Sequence, residues 1–176
     1  MTILSFRGMP CACKFVPPEY PEIEHWGPLL WMILHALAEH GGKTINPLFR
    51  PDELRQWPLV IANLPSIIPC PDCREHATQW ITAHPITAIK TVPHEQLYTW
   101  LTTYIYDFHE SVNQRTGKPS FDKTKLAETY KDVRIGAALR ALNPFMESAI
   151  QLSGLRILSW KKWIGYTQML ISLYGA

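Results

Sequence analysis

The sequence predicts an all-α protein, on three observations. Apolar residues recur at spacings of three and four through each long segment, the signature of a helix with one buried face. Proline and glycine fall between those segments and cut the chain into pieces of helix length. No stretch alternates convincingly as a half-buried strand would, and the apolar runs without helical period are too short to build a sheet.

Residues 1–22 carry Pro10, Pro17, Pro18, Pro21 and the triplet Cys11-Ala12-Cys13, which predicts an extended, mobile arm. The first helix is expected over 24–40, with Pro28 in its opening turn and a stripe of Leu30, Ile33, Leu34, Leu37 and Ala38. Gly41-Gly42 would end it. Trp31 and His35 are four apart and share a face. By themselves they read as a core aromatic and a hydrogen-bonded core histidine. Pro51-Asp52-Glu53 open a second helix, to about 68, which Pro58 should kink or restart and which Pro65 and Pro69 close. A third helix fills 70–84 and stops at Pro85. The longest, over 93–115, buries Leu97, Trp100, Leu101, Tyr104, Ile105, Phe108 and Val112, with His109 and Asn113 on the adjoining face. Beyond Gly117, Asp122 is a plausible cap for a shorter helix to about 133. Two apolar segments complete the chain: Ile135 to Ile150, interrupted at Pro144, and Leu155 to Tyr174 with Trp160 and Trp163. The organisation expected is an arm over 1–22, a central domain over 23–133 and a helical extension over 134–176.

A chain of 176 residues with 47% hydrophobic content can bury one real core. A net charge of +2, with no Lys/Arg run longer than two, gives no footprint for nucleic-acid binding. No apolar run is long enough to span a bilayer, and residues 1–18 lack the apolar core and cleavage site of a signal peptide. A soluble, intracellular protein is the expectation. Its four cysteines form two close pairs, Cys11/Cys13 and Cys70/Cys73, a spacing that favours redox or metal chemistry over scattered core thiols.

The chemistry centres on Pro69-Cys70-Pro71-Asp72-Cys73-Arg74-Glu75-His76. Pro71 suits the first helical position, so Cys70 becomes the N-cap and Cys73 lies in the first turn. Free N–H groups and the positive end of the helix dipole stabilise a thiolate there, and Arg74 could add charge. His76 follows Cys73 by three residues on nearly the same face. A CxxC pair is open to three readings: half a zinc site, a redox disulfide, or two buried thiols. Cys70, Cys73 and His76 could supply three zinc ligands and the CAC pair a fourth, but CxC bites zinc less comfortably and no second CxxC exists. The rival reading is therefore a zinc-stabilised helical interaction module without enzymatic activity. A thioredoxin-like enzyme would place its CxxC after a strand, and no GxGxxG marks a Rossmann nucleotide site. The residues alone lead to a dithiol or disulfide beside a helical site for a flat redox cofactor. Trp31 would stack there, His35, His109 and Asn113 would hydrogen-bond, and Lys118 would meet phosphate.

At these residues the sequence resembles a known family. Trp26-Gly27-Pro28-Leu29-Leu30-Trp31, then Leu34-His35-Ala36-Leu37-Ala38, looks like its WGxxxW…LHxxA helix. Pro69 to His76 looks like its PCxxCxxH. Phe108 to Asn113, with Gly117-Lys118-Pro119 and Phe121, looks like its HNxVNxxxGKPxF. The family is the Erv/ALR type of FAD-linked sulfhydryl oxidase, and the likeness covers about residues 24–130. It implies a four-helix bundle plus a short fifth helix holding FAD, with the C-terminal helices as an addition. It also implies that Cys70 exchanges with the substrate, that Cys73 lies against the flavin, and that electrons end on dioxygen as hydrogen peroxide. Trp31, His35, Cys73, His76, His109, Val112, Asn113 and Lys118 match flavin-contacting positions, as do Lys125 and Tyr130 more loosely. Glu110 stands where asparagine is usual, and no cysteine follows Cys73 to tie back the last helix. The resemblance further implies dithiol protein substrates, a homodimer, and a shuttle disulfide from Cys11 and Cys13. The compact, cysteine-poor form looks most like the enzymes of large cytoplasmic DNA viruses, which would place it in host cytoplasm or virion.

Overall fold

The computed structural model describes residues 18–43 and 46–176. These form seven α-helices joined by short 3-10 turns, with no strand among the described residues. Helix α1 (Ile23–His40) lies at the centre. Its Ile33, Leu34, Ala36, Leu37 and Ala38 are all buried because α4 (His94–Thr116), α5 (Leu126–Tyr130) and α6 (Ile135–Gln151) pack around it. A helix apolar on most sides is stable only when neighbours cover most sides. Helix α2 (Arg50–Asn63) packs against α7 (Ile157–Tyr174). A 3-10 turn, Leu64–Ile67, leads from α2 towards α3 (Pro71–Ala83).

Two prolines behave differently from expectation. Neither Pro58 nor Pro144 interrupts its helix. Each removes one N–H and one helical hydrogen bond. Buried residues flank each proline and anchor the turns around it: Trp57, Val60 and Ile61 in α2, Leu142, Met146 and Ala149 in α6. The helix expected over 122–133 is shorter. A 3-10 turn, Lys123–Lys125, precedes α5, and the Asp122 carboxylate caps it by accepting from the Thr124 N–H at 3.0 Å.

The extension over 134–176 shares the core of the rest. Trp163 is fully buried and donates its indole N–H to the Val60 carbonyl at 3.2 Å. The Tyr174 hydroxyl donates to Glu53 Oε1 at 2.7 Å and accepts from the Trp57 indole N–H at 2.8 Å. The same Glu53 oxygen accepts from the Gly42 N–H at 2.8 Å. Gly42 has φ +70°, where a side chain would be strained and would also meet the Tyr98 backbone. Burial, then the charge of Glu53, holds the Tyr174 hydroxyl well above its usual pKa. The apolar face of α7 is thus spent on this chain's own α2.

Candidate active site

The site begins at the head of α3. Pro71 opens the helix and Cys70 is its N-cap, with φ −68° and ψ 120°. The Cys70 sulfur accepts from the Cys73 N–H at 3.2 Å, and the two sulfurs are joined as a disulfide with Cα atoms 5.2 Å apart. That separation lies inside the range a disulfide needs. Both cysteines are half-buried. Arg115 of α4 donates to the Asp72 carbonyl at 3.0 Å, which holds the CxxC turn near the last turns of α4 where Val112 and Asn113 sit. His76, half-buried one turn after Cys73, has its pKa lowered by burial and then by the Arg115 charge.

A second group of residues forms a wall of rings drawn from α1, α4 and α5. Trp31 stacks on His109, with centroids 4.1 Å apart and planes 8° from parallel. His35 stacks on Tyr130 at 4.5 Å and 9°. His35 Nε2 and His109 Nδ1 lie 3.0 Å apart, so one ring donates and the other accepts. Burial lowers the His35 pKa to about 3, helped by His109, and lowers that of His109 to about 4. Both imidazoles are therefore neutral at pH 7. Trp31 also meets Phe108 edge-on at 5.1 Å, and Phe108 stacks on Trp80 of α3 at 4.5 Å, a ring-to-ring link towards the disulfide helix.

Asn113 is buried beside this wall, and its Nδ2 donates to Glu110 Oε2 at 3.4 Å. The Asn113 carbonyl accepts from the Lys118 N–H at 2.9 Å, closing α4 at Gly117, whose φ of +68° is the left-handed value a C-terminal cap needs. Lys118 is exposed but near enough to His109 to help lower its pKa. Lys125 is exposed at the start of α5, and its charge helps lower the Asp122 pKa. Cys11 and Cys13 lie outside the described residues.

Three residues of this site were not singled out as cofactor contacts from the sequence. Tyr106, Glu110 and Phe121 line a cleft with His35, His109 and Asn113. For the two on α4 the signal is spacing, since Tyr106 precedes His109 by three residues and Glu110 by four, on one helix face. Tyr106 donates its hydroxyl to the Phe121 carbonyl at 2.9 Å. Glu110, where the family pattern has asparagine, keeps its carboxyl below the usual range chiefly through the Ser120 hydroxyl, with Asn113 and the Phe121 backbone assisting. It fastens the 117–122 loop to α4.

This set of residues suits a flat, heteroaromatic, phosphate-bearing group: ring faces, neutral imidazoles that can donate or accept, a buried amide and a nearby ammonium. The cleft itself is a shallow groove, open to solvent, with no enclosed room even for a water molecule. A site that encloses a drug-sized ligand usually has roughly 300–1,000 Å³. A dinucleotide would therefore part these rings or lie across their rim. Of the zinc set weighed from the sequence, only Cys70, Cys73 and His76 lie among the described residues. The two sulfurs bond to each other, and among the described residues no three His, Cys, Asp or Glu are grouped to hold a metal ion.

A disulfide at a helix N-terminus, beside a wall of neutral rings in an all-helical frame, defines a protein built for thiol–disulfide exchange. The Erv1/Alr family model matches residues 28–131, and the chain belongs to that family. It is 31% identical over 108 residues to the FAD-linked sulfhydryl oxidase of African swine fever virus (isolate Tick/Malawi/Lil 20-1/1983), covering 61% of this chain and 81% of that one. The mitochondrial FAD-linked sulfhydryl oxidase erv1 of Schizosaccharomyces pombe is 29% identical over 105 residues, covering 60% and 53%. No solved structure gives a significant match.

Proposed function

We propose that the protein is an FAD-dependent sulfhydryl oxidase that forms disulfide bonds in dithiol protein substrates, with dioxygen as electron acceptor and hydrogen peroxide as product. The observation that carries this reading is the Cys70–Cys73 bond at the head of α3 in a chain of the Erv1/Alr family.

A substrate thiolate attacks the Cys70 sulfur in line with the Cys70–Cys73 bond. That bond breaks, leaving a mixed disulfide on Cys70 and a thiolate on Cys73. The second substrate thiolate then attacks the substrate sulfur of the mixed disulfide and releases Cys70. The substrate has lost two electrons and two protons, and the cysteine pair holds the two electrons. The free N–H groups of the first turn of α3 stabilise the thiolates as they form. His76, whose lowered pKa leaves it uncharged at pH 7, is placed one turn away to take a proton. Bound FAD would supply the two-electron acceptor chemistry that couples the reduced cysteine pair to dioxygen.

Trp31, His35, His76, His109, Val112, Asn113, Lys118, Lys125 and Tyr130 are the residues proposed to hold the cofactor, with Cys73 as the cysteine nearest it. Cys11 and Cys13 are proposed as a shuttle that relays electrons from bulky protein substrates to Cys70. A homodimer in the host cytoplasm or the virion is the proposed working form. That location is the one a viral source would give, and viral proteins are among the relatives. Among the described residues no helix is long and apolar enough to cross a membrane.

The test is the visible spectrum of the purified protein together with its oxygen consumption on a small dithiol. A flavin spectrum released on denaturation, with oxygen consumed, is the expected result. A colourless protein that consumes no oxygen when supplied with FAD and dithiol would refute the reading.

A further inference from the structure

The two residues that lead into the CxxC, Ile68 and Pro69, are held by Arg74 of α3 and by Tyr20, and Arg74 is tied in turn to Gly154; Tyr20 and Gly154 lie outside the span 28–131 that matches the family. The Ile68 carbonyl accepts from Arg74 twice, from Nε at 3.1 Å and from Nη2 at 2.8 Å. The same Nη2 donates to the Gly154 carbonyl, in the turn between α6 and α7, at 3.0 Å. The Pro69 carbonyl accepts from the Tyr20 hydroxyl at 2.8 Å. Tyr20 and Gly154 also touch, because a Cβ on Gly154 would collide with the tyrosine hydroxyl and ring. Tyr20 precedes the family span and Gly154 follows it, yet Tyr20 bonds the Pro69 carbonyl directly and Gly154 reaches the same segment through Arg74 and Tyr20.

Those groups have an evident need of partners. Ile68 and Cys70 are both extended, with ψ 116° and 120°, so the Ile68 and Pro69 carbonyls lie ahead of the helix and outside its ladder. One planar guanidinium serves Ile68 and Gly154 together, which an ammonium on a flexible stem does poorly. The α6–α7 turn is shaped for it. Ser153 takes φ 61°, the positive φ of a non-glycine residue, and the Gly154 N–H returns to the Ala149 carbonyl at 2.8 Å. Arg74 makes no ion pair among the described residues. Its guanidinium is set against the Ile68 and Gly154 carbonyl oxygens.

We propose that Tyr20, Arg74 and Gly154 are positioning residues of the redox pair: together they clamp the Ile68–Pro69 segment and so fix Cys70 in line for attack. This gives the α6–α7 turn a part in the chemistry of the site. Thiol–disulfide exchange requires the attacking sulfur, Cys70 and Cys73 to align, and a misplacement of about 1 Å at a reacting centre can cost about a hundredfold in rate. The proposal rests on Cys70–Cys73 being the exchanging pair of the proposed oxidase.

The experiment measures exchange directly and without oxygen. Full-length protein carrying its flavin is mixed rapidly with a small dithiol, and the free thiols of Cys70 and Cys73 are trapped and counted by mass. Arg74→Lys and Gly154→Ala should slow opening of the disulfide about tenfold or more, with flavin content unchanged. Tyr20→Phe keeps the ring of a residue that is 44% exposed and removes one hydrogen bond, so it should slow exchange about two- to tenfold. Exchange at the wild-type rate in Arg74→Lys and Gly154→Ala, even with a lowered melting temperature, would make the clamp merely structural and overturn the proposal. If those two variants do not fold, Tyr20→Phe decides, and a wild-type rate there overturns it. A wild type that exchanges but consumes no oxygen would instead count against the oxidase reading and leave this comparison standing.

Discussion

Acidification is expected to unfold this protein through two histidines well before its carboxylates titrate. His35 and His109 have native pKa values of about 3 and about 4, against 6.5 for a free imidazole. Both values are depressed, so between these limits the unfolded chain binds protons that the native chain refuses. Stability is then fully present above pH 6.5 and is lost as pH falls from there towards 4. Two extra protons on the unfolded state give a slope of about 2.7 kcal/mol per pH unit. From pH 6.5 to 5 the loss comes to roughly 2–4 kcal/mol, the lower figure allowing for water at the half-exposed edge of His109. Out of a total of about 5–15 kcal/mol this is a large share. His40 and His76, both lowered chiefly by burial, add to the slope in the same direction. The assay is urea unfolding at pH 7.5, 6.5, 5.5 and 5.0 with FAD held at one concentration, repeated on His109→Gln. The variant should lose about 1.4 kcal/mol per pH unit of slope below pH 6, since one titrating group is gone. Equal stability at pH 7.5 and 5.0, or an unchanged slope in His109→Gln, would refute the assignment of two neutral, buried imidazoles.

Cys70→Ser and Cys73→Ser should each abolish turnover while leaving flavin bound, because the ring wall is built from other helices; turnover with a small dithiol and the flavin spectrum check this. Trp163→Ala should destabilise by about 3–5 kcal/mol, since a fully buried indole and its bond to Val60 are lost together. Tyr174→Phe should lose about 1–3 kcal/mol by stripping Glu53 of a donor and the Trp57 N–H of its acceptor, measured by urea unfolding. Replacing Cys11 and Cys13 together with serine should spare oxidation of a small dithiol and slow oxidation of a reduced protein substrate. Light scattering at micromolar concentration should give the mass of a dimer.

The helices were legible because their signals are local. Pro71 after Cys70 marks the start of α3, and the three-and-four spacing of Leu97, Leu101, Ile105 and Phe108 marks the buried face of α4. The uninterrupted passage of α2 and α6 through proline was not legible. It depends on burial of Trp57 and Met146 against helices distant in sequence. Within the site, residue types pointed to the chemistry of Trp31, His35 and His109. That the two imidazoles share a hydrogen bond and stay neutral follows from tertiary contact across 74 positions. Tyr20 shows the same limit. It falls in a proline-rich stretch that reads as a loose arm, and its partner, the Pro69 carbonyl, lies 49 positions on.

The seam between α2 and α7 bears on how the chain can be made. The bond from Trp57 to Tyr174 spans 117 positions, and that from Tyr174 to Glu53 spans 121. At about 5–20 residues per second, α2 leaves synthesis roughly 6–24 s before its cover does. Over that interval Trp57, Val60 and Ile61 have no lid, and the Glu53 carboxylate is bathed in water it must later shed. The last turn of the last helix therefore closes the core over the first turns of the second. A fragment ended at 131, the limit of the family match, would keep the redox pair but leave that apolar face permanently bare, a surface prone to self-association.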